Sequence, residues 1–328
     1  MARYHELITS PGNPQDRFAS RIALLKRIET ETGRPVIVYA ANCRLQNIPN
    51  SIDNTDITPF SELTKTVPGK AIDVFIHSPG GLAEATERIV SLLRARFDSV
   101  RFVILHSAFS AATMLAMSGD SLILDDTSAL GPIDPQIVYR DPQTGESIAV
   151  PTQAILDGFR KAKEEIKKDP DALGVYLPLL NKLDLHLFEI CTNADKLAKT
   201  LVRQWLKAYM FKGDPKAGGK ANRITKYLST HKDRLSHGRP ITIDTLKNQL
   251  KVKVFDLREV PSLRELYTEL WAEVEWFVEN TDTAKFFENA YGVGFRRRFQ
   301  VQQQVNLQLP IVAPPPPQAP EKGQTAKA

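Results

Sequence analysis

Between residues 20 and 126 the chain alternates two hydrophobic periods. Helical spacing marks Arg21 to Thr32, and it returns from Ala83 to Arg96, where Ala85, Ile89, Leu92 and Leu93 share one face. Near-continuous apolar runs stand between the helical stretches: Pro35 to Ala41 (PVIVYAA), Ala71 to His77 (AIDVFIH), Val100 to His106 and Ser121 to Leu124. Short helices are predicted over Pro59 to Thr66 and Ala111 to Met117. This order of strand and helix predicts a mainly parallel sheet covered by helices. Burial on both faces explains why its strands carry so few polar positions.

After Gly131 the pattern changes. Arg140 to Val150 reads as a hairpin or loop, and Thr152 to Lys168 as an amphipathic helix with Ile155, Phe159, Ala162 and Ile166 on one stripe. Helical patterns then dominate to about residue 300, interrupted by a Gly/Lys loop over Lys212 to Lys220 and a short Val252 to Phe255 strand. Pro261-Ser262 with Glu265 predicts a capping box opening a helix. Leu263, Leu266, Leu270, Val274 and Phe277 form its apolar face, and Trp271 and Trp276 are assigned to the core or a subunit interface. The proline-rich end, with Pro314 to Pro317, cannot build a packed core and is read as disordered. The expected division is an α/β domain over 1–170, a mainly helical extension over 171–305 and a tail over 306–328.

Composition adds three points. A chain of 328 residues with 42% hydrophobic residues must bury a real core. Phe102 to Gly119 is an uncharged run of 18 residues, the lower limit for a membrane-spanning helix. It contains His106, Ser107, Ser110, Thr113 and Ser118, and reads better as a buried strand, a small-residue turn and a buried helix, so no membrane span is expected. The N-terminal MARYHELITSPGNPQDRF has charge and proline where a signal peptide would be apolar, and a cytoplasmic protein is expected. Cys43 and Cys191 give neither a disulfide framework nor metal-ligand spacing and are read as reduced packing residues; no metal or organic cofactor is expected. The net charge of +5 is unevenly spread: Lys199 to Arg239 carries +9, leaving −4 on the remainder. Trp205, Tyr209, Phe211 and Tyr227 are interleaved with those cations, a mixture that suits nucleic acid. An amphipathic helix with its lysines in water and Trp205, Leu206 and Tyr209 in the core is the favoured reading.

The chemistry concentrates at two turns. The Ala71 to His77 strand ends in Ser78-Pro79-Gly80-Gly81 and enters a helix directly. A glycine pair at such a turn lets the backbone approach a ligand, and free N–H groups at the helix start can hold a developing negative charge. The next strand ends in His106-Ser107-Ala108-Phe109-Ser110-Ala111-Ala112. A serine opening that helix stands at the carboxyl edge of the sheet, where open α/β folds place their sites.

The SPGG turn, the serine turn, Gly119 and the SLILDD strand resemble the Clp protease proteolytic subunit and signal peptide peptidase A. Closer is the resemblance to the serine dehydrogenase proteinases, carried by DTSALGPIDPQ, by GRPVIVYAA and by SHGRPI. It covers about residues 20 to 260, most specifically 71 to 136. It implies a Clp/crotonase-type spiral of ββα units with a mainly helical C-terminal extension, and serine peptidase activity. By position it makes Ser110 the nucleophile and the N–H groups of Gly81 and Ala111 the oxyanion hole. A Cβ at Gly81 is expected to crowd the scissile carbonyl, so that Gly81→Val abolishes hydrolysis with the fold intact.

The base stays open. Where the Clp peptidase has a histidine, this chain reads LGPIDPQ, with Asp134 near that place. Signal peptide peptidase A uses a lysine well downstream of its serine, and here that stretch carries Lys161 and Lys163. Lys163 borders the apolar face and is the preferred candidate; it needs burial to lower its pKa. His77 and His106 end the motif-bearing strands, and His237 lies in SHGRPI. The resemblance implies a peptide or unfolded-protein substrate and a homo-oligomer. Two rivals are a crotonase-like acyl-CoA enzyme, which needs no serine nucleophile, and a non-catalytic scaffold that uses its basic segment for nucleic acid or a protein partner.

Overall fold

The computed structural model describes residues 2–299 apart from 11, 46, 141–144, 146, 181–184 and 231–237. The 306–328 tail therefore lies outside the described residues. Helices α1 (Ala2–Thr9) and α2 (Pro14–Thr32) precede β1 (Val36–Ala41), α3 (Ile57–Thr66), β2 (Ala71–His77), α4 (Ala83–Arg96), β3 (Ser99–Ile104), β4 (Ser107–Ala108), α5 (Ala111–Ala116), β5 (Ser121–Leu124) and β6 (Ala129–Leu130). A hairpin of β7 (Gln136–Arg140) and β8 (Ser147–Pro151) leads into α6 (Thr152–Lys168), α7 (Leu173–Leu180), α8 (Leu185–Trp205) and α9 (Ala217–Ser229). The chain continues through β9 (Ile241–Thr242), β10 (Val254–Asp256), α10 (Pro261–Glu279), β11 (Thr283–Asn289) and β12 (Gly294–Arg298).

The seven-stranded sheet has the order β10-β5-β3-β2-β1-β11-β12. Its first five strands are parallel; β11 is antiparallel to β1, and β12 to β11. Alternation within β1 assigns the faces. Ile37 and Tyr39 point into one core with residues of α3, α4, α5, α8 and α9, while Val36, Val38 and Ala40 point into another with α2 and α10. The uncharged run from Phe102 to Gly119 is β3, a turn and α5, buried in this sandwich. Among the described residues no helix is long and apolar enough to cross a membrane.

A second, small sheet, β4-β6-β9, takes over where the large sheet stops. Strand β3 continues into β4 and β5 into β6, and β2 reaches the same layer through a bridge between Ser78 and Ala108. Strands β2, β3 and β5 thus all pass into this second layer, and after β2 and β3 a helix follows. This places the two motif turns side by side.

Two expectations change. The capping box at Ser262 and Glu265 is not formed: α10 starts at Pro261 with Val260 as cap and no side-chain capping bond, its fixed φ preparing the first turn. The helical reading of residues 280 to 300 gives way to β11 and β12. Every residue of β11 is buried, including Lys285, Glu288 and Asn289, so its apolar pattern is broken by polar groups that are satisfied internally.

Candidate active site

Ser110 caps α5 with φ 51° and ψ −119°, a left-handed φ rare for a residue with a side chain. Its neighbours hold it there. The Phe109 N–H donates to Ser78 O (3.1 Å), and the Ser78 N–H donates to Ser107 O (3.0 Å), lacing the two turns together. The Met114 N–H donates to Ser110 O (3.0 Å), which fixes the first turn of α5. Gly80 passes so close that a Cβ would stand 2.8 Å from Ser110 Cβ and 2.6 Å from Phe109 O. Only glycine fits there, and its φ of 104° favours glycine as well.

Gly81 follows at φ 153°. Its N–H and that of Ala111 donate to no backbone acceptor among the described residues, leaving two donors beside the Ser110 turn. A Cβ on Gly81, however, would point at Ile52, 2.2 Å from its O and 2.5 Å from its N. The segment around Ile52 brackets the glycine pair: the Ile52 N–H donates to Gly80 O (2.7 Å), and the Leu82 N–H to Ile52 O (2.9 Å). Gly81→Val therefore damages the turn itself, and the expectation of an intact fold is withdrawn. The obstacle is backbone, not the path of a substrate carbonyl.

A cleft of about 400 Å³ opens over these groups. Gly80, Gly81, Ser110 and Ala111 form its floor; Met114, Ile133 and Leu197 give apolar walls; Gln136 and Val138 of β7 and Ala149 of β8 line one rim. The 131–135 segment is pinned to α5, because the Thr113 hydroxyl donates to Ala108 O (2.6 Å) and accepts from the Gly131 N–H (3.0 Å). Asp134 in that segment is fully buried.

The preferred base does not reach the cleft. Lys163 is exposed on α6, whose buried residues are Thr152 and Ala162, and it lacks the burial a lysine base requires. Lys161 is also exposed and faces Glu165 at 3.9 Å. The apolar stripe of α6 is narrow, so both lysines fall on its wet side.

His77 and His106 line a different cavity, of about 430 Å³, which does not include Ser110. Their rings are 5.6 Å apart and each packs on Trp271, at 4.7 and 5.3 Å. His106 Nδ1 lies 2.7 Å from the Ser107 hydroxyl. Burial, with a contribution from nearby His106, pushes His77 down to about 3. The unfolded chain binds a proton at this residue below about pH 6.5 and the native protein does not until about pH 3, so stability falls with acidification across that window. Urea unfolding at pH 7 and pH 4.5 is expected to show a smaller acid loss for His77→Phe than for the parent, by about 2–3 kcal/mol. An equal loss in both rules out His77 as a source of acid sensitivity. His237 lies outside the described residues.

Comparison with known proteins decides the family. The profile of the ClpP-like SDH-type serine proteinases matches residues 15–279. The chain belongs to this family. Its observed α/β architecture is the ClpP-like fold expected from the resemblance, with β10, β11 and β12 of the later chain completing the main sheet. Two uncharacterized proteins of Methanocaldococcus jannaschii are each 30% identical, over 197 and 200 residues, or 60% of this chain. The aligned region is 56% and 59% of their own lengths, so the chain spans somewhat more than half of the curated relatives it matches. A serine-to-alanine mutant of the 1510-N membrane-bound stomatin-specific protease shares 16% identity, covering 66% of this chain and 79% of that one at a TM-score of 0.40.

Proposed function

We propose that the protein is a serine endopeptidase in which Ser110 attacks a peptide carbonyl and the Gly81 and Ala111 N–H groups hold the oxyanion. The observation that carries this reading is the backbone of Ser110. A serine kept at a positive φ on a helix start, with two undonated N–H groups beside it, matches what an acyl-transfer nucleophile needs. The rim strand β7 suits a substrate added as a further strand, which favours unfolded segments over folded ones.

For the base we propose His237, by elimination of the other candidates. No side chain among the described residues hydrogen-bonds the Ser110 hydroxyl, and both lysines are exposed. His77, buried and depressed to about 3, holds its neutral form but lines the other cavity. Strand β9 pairs antiparallel with β6, Ile241 facing Leu130. Gly238, which follows His237, lines the same cavity as His77 and His106.

The test is labelling by a fluorophosphonate probe together with hydrolysis of an unfolded protein substrate. The parent and Lys163→Met are expected to label and cleave; Ser110→Ala and His237→Ala are expected to do neither. Labelling that survives Ser110→Ala refutes the nucleophile, and activity that depends on Lys163 refutes the base. A crotonase-like acyl-CoA enzyme would give no label at all.

A further inference from the structure

The basic segment contributes to a second concave site. On α8, Ala194, Leu197 and Ala198 face the Ser110 cleft, whereas Lys199 and Arg203 line a separate groove of about 520 Å³. Arg160 of α6 and Lys226 of α9 supply its other cations, and Asp157 is its one lining carboxylate. Arg160 is paired with Asp157 (2.6 Å) and Lys199 with Asp195 (2.6 Å). Arg203 and Lys226 enter no ion pair among the described residues. Arg203 also lines a neighbouring hollow together with Lys207. Lys199 and Arg203 step along α8 about 6 Å apart, and Lys207 follows in the π-helical turn Leu206–Met210.

A second observation points to a ligand. Thr225, 5% exposed, lines the groove, and its hydroxyl has no hydrogen-bond partner. A buried hydroxyl left unpaired costs folding energy that a ligand oxygen would offset. The chemistry of that ligand follows from what is missing beside the cations. Trp205 and Phe211 are buried, and Tyr209 lies under the Arg94 guanidinium at 3.8 Å. None of the aromatics interleaved with the cations lines the groove, so no surface for stacking bases is offered.

We propose that this groove binds consecutive phosphate groups of an anionic ligand through Lys199, Arg203 and Lys226, with Thr225 donating to a phosphate oxygen. The chemistry is shared by an inorganic polyphosphate chain and the backbone of a single-stranded nucleic acid. Arginine and lysine arranged around a concave surface give charge-assisted bonds to phosphate without reading sequence.

The full chain is titrated at low salt with sodium tripolyphosphate by calorimetry and with a short labelled single-stranded RNA of mixed sequence by fluorescence anisotropy. At least one probe is expected to bind, and log affinity should fall with log salt; for RNA, about three phosphates give a slope of about −2. Arg203→Glu combined with Lys226→Glu is expected to weaken binding about tenfold or more, with Lys70→Glu as a control on an unrelated surface. Thr225→Val should weaken binding without lowering the melting temperature. RNA binding displaced by tripolyphosphate identifies a strand backbone, and tripolyphosphate binding alone identifies a compact polyphosphate. Absence of binding by both probes overturns the proposal. So does unchanged affinity in both the charge-reversed and the Thr225→Val proteins.

Discussion

Ser110→Gly is expected to lose turnover by about 10⁴-fold or more while the folded protein becomes more stable than Ser110→Ala. Both effects come from one backbone position. A side chain held at φ 51° and ψ −119° stores about 1–3 kcal/mol of strain. Alanine keeps the Cβ and with it the strain, so Ser110→Ala should melt close to the parent. Glycine removes the Cβ but gives the unfolded chain more freedom, a cost of about 0.5–1 kcal/mol. The net gain over alanine is therefore about 1 kcal/mol, to be read from urea unfolding at pH 7 as a shifted midpoint with the slope unchanged. If glycine proves less stable than alanine, the turn is not strained; if it retains turnover, Ser110 is not the nucleophile.

The parts of this site that were legible from sequence are local. SPGG and the serine turn each combine a strand end with a helix start within a few residues, and their strands and helices lie close to the predicted positions: β2, α4, β5 and α6 start and stop where the pattern placed them. The parts that were not legible depend on distant chain. The direction of a Cβ at Gly81 is decided by Ile52, nearly thirty residues earlier, which no period reveals. The same holds for Lys163: one face of α6 is covered by α8, and the boundary of that cover, not the apolar stripe alone, leaves the lysine in water. Strand β11 was hidden by its charges. Glu288 is paired with buried Arg21 at 2.6 Å, and Arg21 in turn lies over Phe277, so residues that read as a wet surface form an interior strand. The basic segment was split correctly between a packed face, with Trp205 and Leu206 buried, and a solvated one, but its concavity emerges only where α6 and α9 close around it.

Lys285→Met is expected to cost about 3–5 kcal/mol of stability and to lower kcat in whatever protein remains folded. Lys285, fully buried on β11, is distant in sequence from the Gly80-Gly81 and Ser110 turns, yet it anchors the segment that brackets the glycine pair. Its ammonium donates to Ser51 O (2.6 Å) and lies 3.1 Å from Asp53 and 2.6 Å from the buried Asp56 carboxylate. Between Ser51 and Asp53 stands Ile52, whose backbone bonds flank Gly81. Burial already pushes the Asp56 carboxyl above the usual carboxylate range, with Lys285 opposing the shift. Without the ammonium, Asp56 keeps only the Asp53 N–H (3.1 Å) and the Tyr39 hydroxyl (3.3 Å), and a buried carboxylate so placed must take a proton or draw in water. The double variant Lys285→Met, Asp56→Asn should accordingly recover more than half of the lost stability, because it removes the uncompensated charge. It should not recover kcat, since the bond to Ser51 O is still missing and the Ile52 clamp on the glycine turn stays loose. Recovery of both would make the lysine a purely electrostatic partner of Asp56, and a loss below about 1 kcal/mol in the single variant would show that the ion pair is not buried as described.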